Sequence, residues 1–266
     1  MRIGARTRVF ALLGDPVAHS LSPVMQNAAF EALGLDAVYV AIRCRADSLA
    51  SAVRVLAAAG GGGNATIPHK AALAGLVEAC ASEPSPVCNT FWGDGDRILG
   101  AETDSIGIRA AWERLGAPEG AWLIAGTGGS ARAALRAART AGVPVAVQSR
   151  SDAGGAAFRA LAQSLGVPVV LPEGAAVAIN CTPLGLAPGD PMPFDPKGFP
   201  RLRAALDLVY RRGGTEWVRA CRARRLAADD GREVLVGQGA AALESWFPGV
   251  TAPTEVMRAA VERGLR

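Results

Sequence analysis

Residues 121–132 read Ala-Trp-Leu-Ile-Ala-Gly-Thr-Gly-Gly-Ser-Ala-Arg, an apolar run that passes through a glycine-rich turn straight into a helix-forming stretch. That order predicts a buried strand, a tight turn and a helix whose first amides face outward. Gly126 suits the positive φ of such a turn, Gly128 removes a Cβ from the path of a closely approaching group, and Ala131 lets helix and strand touch. The first-turn amides from Gly129 and Ser130, aided by the positive end of the helix dipole, favour an anion such as a pyrophosphate. Thr127 lies within the turn, and Arg132 adds a cation nearby.

The same glycine spacing occurs in ordinary turns, so its setting has to support it. Val143 to Ser149 reads as a second parallel strand, with Ser130 to Ala141 as the crossover helix. At its end a plain NAD site places Asp or Glu against the ribose hydroxyls, whereas this chain has Ser149-Arg150-Ser151. An arginine there suits a 2′-phosphate and favours NADP. Asp152 argues the other way and keeps NAD open, and a solvated loop cation is the plain alternative for Arg150.

The chain has 266 residues, half of them apolar, with 32 glycines. That suits parallel strands buried on both faces, and the length fits two small α/β domains. The net charge of +4 is mild and its arginines are scattered, which points to anionic small molecules before nucleic acid. Five cysteines without C-x-x-C spacing read as reduced structural thiols, and His19 and His69 are too few for a zinc site, so no metal is expected. No run is long enough to span a membrane, and the opening residues lack the apolar core of a signal peptide; the expected location is the cytoplasm.

Arg8 to Gly14 reads as a strand, followed by a helix that Ser22 caps, with Pro23 as its first residue and Gly34 as its stop. Ser20 is not needed for that cap, which leaves its hydroxyl for a ligand. Val38 to Cys44 is the second strand, Asp47 caps a helix to about Ala59, and Gly60 to Gly63 reads as a flexible approach. In Asn64-Ala65-Thr66-Ile67-Pro68-His69-Lys70, Pro68 reads as a helix N1 residue that aims Thr66 and Lys70 toward a strand end. A lysine in a first helical turn opposes the dipole, an argument that Lys70 serves chemistry. Residues 87–91 and 97–101 flank Gly93-Asp94-Gly95-Asp96 as a hairpin, and Asp104 reads as the cap of a helix from Ser105 to Leu115.

Beyond Arg150 the pattern gives a helix from about Gly154 to Leu165, strands at 167–171 and 176–180, and a proline-rich surface loop from Pro188 to Pro200. The turn from Asn180 through Thr182 to Gly185 lies at another strand end, where backbone groups can line a nicotinamide pocket. Residues 204–209 form a strand ending beside Tyr210, and a helix follows from Thr215 to Arg225. Gly231 opens a last segment whose helix, Leu235 to Phe247, is apolar on most sides; it reads as buried between domains and carries Gln238 near its start.

Taken in order, these motifs resemble the shikimate dehydrogenase family over nearly the whole chain. Its H-S-x-S-P turn is similar to His19 through Pro23, its N-V-T-x-P-x-K segment to Asn64 through Lys70, its N-T pair to Asn89-Thr90 and its T-D pair to Thr103-Asp104. Its glycine turn resembles Gly126 to Ala131, its N-R-T loop Ser149-Arg150-Ser151, its D-L-x-Y Asp207 to Tyr210, and its glutamine motif Gly237-Gln238-Gly239. The resemblance implies a two-domain α/β fold: a substrate and catalytic domain at 1–104, a Rossmann NADP domain at 105–234, and C-terminal helices at 235–266 packing back on the first. It implies reversible NADP-dependent reduction of 3-dehydroshikimate to shikimate by a monomer or homodimer. Lys70 and Asp104 would be the catalytic pair, and Ser20, Ser22, Thr66, Asn89, Tyr210 and Gln238 would hold substrate. Gly126, Thr127, Gly128, Gly129, Ser130, Ser149, Arg150, Ser151, Thr182, Val209 and Gly231 would face the cofactor.

The inventory is chemically coherent, because a developing alkoxide needs a positioned proton donor and a polyhydroxylated acid needs neutral hydroxyl and amide partners. Three departures bear on substrate identity. Glu102 stands where the family has Asn, and on a strand it would share a face with Asp104; Val234 replaces a Met; Ser85-Pro86-Val87-Cys88 replaces I-G-A-V. They motivate a quinate/shikimate-type enzyme with altered cofactor or substrate as the alternative, with a non-catalytic dinucleotide sensor further off.

Overall fold

β1 (Arg8–Gly14) is the strand about which the first sheet is built, and every residue from Phe10 onward in it is buried. Phe10 and Leu12 enter one core, with Phe30, Tyr39 and Trp246; Ala11 and Leu13 enter another, with Leu49, Val53 and Phe91. Alternate side chains thus bury both faces of one strand, which explains its unbroken apolar sequence. The computed structural model describes residues 3–80, 87–187 and 189–265; Ser85 and Pro86 lie outside them.

The chain divides into two units, Met1–Thr103 with Leu235–Arg266, and Asp104–Val234. In the first, α1 (Ser22–Ala32) leads to β2 (Ala37–Arg43), α2 (Leu49–Ala58), β3 (Gly62–Ala65), α3 (Lys70–Ala74), β4 (Ala79–Cys80), β5 (Thr90–Asp94) and β6 (Arg97–Ala101). The strand order is β2-β1-β3-β5-β6-β4. β1, β2 and β3 run parallel, and β5 and β6 form an antiparallel hairpin closed at Gly95-Asp96.

In the second unit, α4 (Asp104–Arg114), β7 (Ala121–Ala125), α5 (Gly129–Ala141), β8 (Val145–Gln148), α6 (Asp152–Ser164), β9 (Ala175–Asn180), β10 (Ala204–Asp207), α7 (Glu216–Ala223) and β11 (Ala227–Asp229) follow. They make an all-parallel sheet of order β11-β10-β9-β7-β8. The chain runs from β7 outward to β8 and then returns to the other side of β7, so the order reverses between β7 and β9. α8 (Arg232–Trp246) and α9 (Thr254–Gly264) end the chain; from Leu235 on they belong to the first unit, where α9 packs on α1 and Trp246 stacks 4.7 Å from Phe10.

Several local expectations are corrected. Gly62 and Gly63 are not a flexible approach but a buried strand between β1 and β5, where a Cβ on Gly63 would run into the carbonyl oxygen of Ala11. Strand propensity misses β3 because the space between its neighbours leaves no room for side chains. Ser22 does not cap α1; it is the first helical residue, and Leu21 holds the cap position without a side-chain bond. Pro68 is not a helix N1 residue: it follows a cis Ile67–Pro68 bond inside a turn closed by His69 N–H on the Thr66 carbonyl at 2.7 Å, and α3 starts at Lys70. Asp47 lies in a short 3-10 turn and bonds Arg45 and Ser48 instead of capping α2.

Residues 167–171 make no full strand. Val169 forms a single bridge with Val145, for Pro168 lacks an N–H and Pro172 opens a 3-10 turn. α6 begins at Asp152, earlier than Gly154, because the Ser151 hydroxyl accepts the Gly154 N–H at 3.1 Å. Glu102 and Asp104 do not share a strand face, since β6 ends at Ala101 and Asp104 is already the first residue of α4. β4 and β11, two and three residues long, are too short to leave a pattern in the sequence.

Candidate active site

In the first unit the strand directions gather the motif residues at one edge of the sheet. β1 and β3 end there, at Gly14 and Ala65; β5 runs against them and begins there, at Thr90; β6 returns and ends there, at Ala101. The segments carrying Ser20, Ser22, Thr66, Lys70, Asn89 and Thr103 therefore all leave the sheet on the same side, with Asp104 next in the chain. This is where open α/β sheets bind ligands.

Within that edge the side chains are tightly partnered. The Ser20 hydroxyl accepts the Ser22 N–H and lies 3.2 Å from the Ser22 hydroxyl, so Ser20 organises the turn into α1 that the sequence pattern assigns to Ser22. Thr66 packs against Gly14 and its amide donates to the Leu13 carbonyl. His69 is buried, its Nε2 2.7 Å from the Cys44 carbonyl, which ties the start of α3 to the end of β2 and thereby fixes the backbone at Lys70. The Lys70 carbonyl accepts the Cys88 N–H at 3.0 Å.

Beneath these residues runs a buried network of hydroxyls and amides. Tyr39 donates its hydroxyl to Asn64 Oδ1 at 2.8 Å, Asn64 Nδ2 donates to Thr90 Oγ1 at 2.9 Å, and Asn89 Oδ1 accepts the Thr103 N–H at 2.7 Å while its Nδ2 donates to Thr103 Oγ1 at 3.0 Å. Asn89 is 2% exposed and in this network. Burial holds the Tyr39 hydroxyl far above its ordinary pKa, so it stays a donor. On α8, Gln238 donates to the Leu235 carbonyl of its own helix, and Gln26 of α1 donates to the Gly239 carbonyl at 2.9 Å.

The second unit presents its own carboxyl edge. Gly126 has φ +105, and a Cβ there would stand 3.3 Å from both the Cys181 carbonyl oxygen and Thr182 Cγ2, so the glycine turn lies directly against the exit of β9. Thr127 follows in the turn; Gly128 is the cap residue of α5, Gly129 and Ser130 form its first turn, and no side chain caps it. That uncapped end, at the point where the strand order reverses, fits a pyrophosphate. Past β8, the Ser149 hydroxyl accepts the Ser151 N–H at 3.2 Å, the Ser151 hydroxyl is occupied in capping α6, and Arg150 is exposed.

The ends of β9 and β10 are joined through a buried carboxylate. Asp207 accepts hydrogen bonds from the Thr215 hydroxyl, Asn180 Nδ2 and the Val209 N–H, and Thr182 donates both its N–H and its hydroxyl to Asn180 Oδ1. Burial pushes the Asp207 carboxyl up to about 6, opposed by those three donors and reinforced by Asp230. Burial and the neighbouring Asp207 also raise the Cys181 thiol, which keeps it from acting as a thiolate. Gly231 donates its N–H to the Val209 carbonyl and lies against Leu208, while Tyr210 is half-buried just beyond. Asn180, Asp207 and Thr215 are not singled out by the sequence pattern, although D-L-x-Y and the Asn180 turn are the available signals. Among the described residues no group of three or more His, Cys, Asp or Glu is placed to hold a metal, and no helix is long and apolar enough to cross a membrane.

The reversed parallel order and the glycine turn against β9 define the class: a two-unit α/β protein whose second unit is of the Rossmann type. A family profile described as the shikimate dehydrogenase substrate binding domain matches residues 12–88, and one described as the shikimate 5'-dehydrogenase C-terminal domain matches residues 231–262. The chain is 38% identical to the NADP(+) shikimate dehydrogenase of Rubrobacter xylanophilus, over 98% of this chain and 97% of that protein. It is also 38% identical to that of Methanothrix thermoacetophila, over 97% and 98%. The shikimate 5-dehydrogenase of Thermus thermophilus, solved in complex with NADP(H) and shikimate, superposes with a TM-score of 0.85 at 33% identity, covering 97% of this chain and 99% of that one. The chain belongs to the shikimate dehydrogenase family.

Proposed function

We propose that this protein is an NADP-dependent shikimate dehydrogenase that reversibly reduces 3-dehydroshikimate to shikimate. The observation that carries the reading is the uncapped start of α5 behind a positive-φ Gly126 at the reversal point of the sheet, in a chain whose relatives are NADP(+) shikimate dehydrogenases. Gly126 to Ser130 hold the pyrophosphate, Ser149, Arg150 and Ser151 receive the 2′-phosphate, and Thr182, Val209 and Gly231 border the nicotinamide. The bound nicotinamide supplies or accepts the hydride.

The protein's residues handle the proton and the hydroxyls. Lys70 gives its ammonium proton to the oxygen that becomes alkoxide as hydride reaches the ketone carbon, and takes it back in the reverse direction. Asp104 orients that ammonium. Ser20, Ser22, Thr66, Asn89, Tyr210 and Gln238 pair the substrate's hydroxyl and carboxylate groups, which are costly to bury unpaired. Reduced, mostly buried thiols at Cys44, Cys88, Cys181 and Cys221 suit work in the cytoplasm.

The test is turnover of the purified chain with NADP+ and NAD+ on shikimate and on quinate. NADP+ with shikimate is expected to give the highest kcat/KM. Preference for quinate or NAD+ would replace the assignment by the altered-specificity alternative, and tight cofactor binding without turnover on either acid would make the protein a sensor.

A further inference from the structure

Asp207 ends β10 with no exposed surface, and the exit of β9, the exit of β10 and the head of α7 meet on it. Its Oδ2 accepts the Thr215 hydroxyl at 2.6 Å, and its Oδ1 accepts Asn180 Nδ2 at 2.8 Å and the Val209 N–H at 3.0 Å. Among the described residues these hydrogen-bond partners are all neutral. A buried carboxylate held only by neutral groups is costly, and an amide of the same shape would span the same gap without charge.

What the carboxylate adds is that it accepts and never donates. It fixes the Asn180 amide with Nδ2 inward, so Asn180 Oδ1 turns to the Thr182 N–H and hydroxyl, and Nδ2 also reaches the Leu184 carbonyl at 3.1 Å. It likewise fixes the Thr215 hydroxyl proton, leaving that oxygen to accept the Val218 N–H at the head of α7. Two loops, 181–187 after β9 and 208–215 after β10, are thus joined through one side chain, while Asp190 holds the far end of the first by accepting the Gly185 and Ala187 N–H groups. Arg211 ties them again, reaching the carbonyls of Gly185 and Ala187 at 3.4 Å.

We infer that Asp207 is a positioning residue for the pyridine half of the dinucleotide, acting through Asn180 and Thr215 on the loops after β9 and β10. The inference rests on the proposed function, which sets those loops beside the nicotinamide. The adenosine half is assigned to the glycine turn and Ser149 to Ser151; the glycine turn borders the network only through Gly126 against Cys181 and Thr182, and among the described residues Ser149 to Ser151 make no hydrogen bond to it.

The experiment compares Asp207→Ala, Asp207→Asn and Thr215→Val with the wild type in kcat, in KM for NADP+ and in affinity for 2′,5′-ADP, which carries only the adenosine half. Asp207→Ala is expected to lower kcat/KM for NADP+ about tenfold or more, a scale set by small misplacements of reacting groups, and to leave 2′,5′-ADP affinity within about twofold. Thr215→Val should shift in the same direction by a smaller factor, and Asp207→Asn should recover part of the loss. Unchanged kcat/KM in Asp207→Ala and Thr215→Val, or 2′,5′-ADP affinity falling in parallel with NADP+, overturns the inference. Should Asp207→Ala fail to fold, the other two variants decide it by the same criteria. Failure of the underlying function reads differently, as a wild-type protein that does not oxidise shikimate with NADP+.

Discussion

Both units bury a polar network at the carboxyl edge of a sheet, and the two networks are chemically unlike. In the first, Tyr39, Asn64, Asn89, Thr90 and Thr103 join hydroxyls and amides without a formal charge. In the second, a carboxylate at Asp207 gathers Asn180, Thr215 and Val209. Hydroxyls and amides offer both donors and acceptors, which suits an edge proposed to receive a ring that carries several hydroxyls and a carboxylate. A carboxylate imposes one direction on every hydrogen bond around it, which suits loops that have to hold a single setting.

The contrast is breakable in a definite order. The largest effect is expected from Lys70→Ala, which should reduce kcat about 10²–10⁴-fold, the usual share of a positioned proton donor, with NADP+ binding held within about twofold by calorimetry. Unchanged turnover would remove the proton from the first unit's duties. Gly63→Ala should cost about 3 kcal/mol or more in denaturant unfolding, because its Cβ has only the Ala11 backbone to occupy. Asn64→Leu should cost about 2 kcal/mol by leaving the Tyr39 and Thr90 hydroxyls short of a partner, with no pH dependence of its own; a cost that varied with pH would show that the first network is not neutral.

The smallest effect is the pH signature of the second network. Asp207 titrates near 6 in the folded protein against an ordinary 3.8, so between those values the folded state holds more of its proton than the unfolded state does. Stability from this group is therefore fully present below 3.8 and is lost as pH rises toward 6, after which it is level. Unfolding free energies of wild type and Asp207→Asn should converge or cross over that interval in the direction that favours the variant at higher pH. Parallel curves would sever the two networks' proposed difference.

The second unit is the more legible in sequence. Its strands are apolar, its helices intervene regularly, and Gly126 to Ala131 announce the β7 to α5 turn, so β7, α5, β8 and β9 fall close to where the pattern puts them. The first unit hides β3, whose Gly-Gly start reads as a linker because close approach of strands is a tertiary fact with no local signature. Caps mislead for a related reason: Ser22, Asp47 and Pro68 are proper helix-start residues, yet tight turns before α1, α2 and α3 move each start by one or two positions. The motif residues at the edge can be named from sequence, but their hydrogen-bond economy cannot. Asn89 and Thr103 are 14 residues apart, Asn180 and Asp207 27, and only the folded chain makes them neighbours.

The first unit is assembled from two distant lengths of chain, and that has a consequence for its birth on the ribosome. Gln26 waits 213 residues for the Gly239 carbonyl it bonds, and Phe10 waits still longer for Trp246. At a synthesis rate of about 5–20 residues per second that delay is about 10–40 s. All of residues 104–234 emerge within it, so the half begun first is completed last, its aromatic face dependent throughout on whatever shields nascent chains from one another.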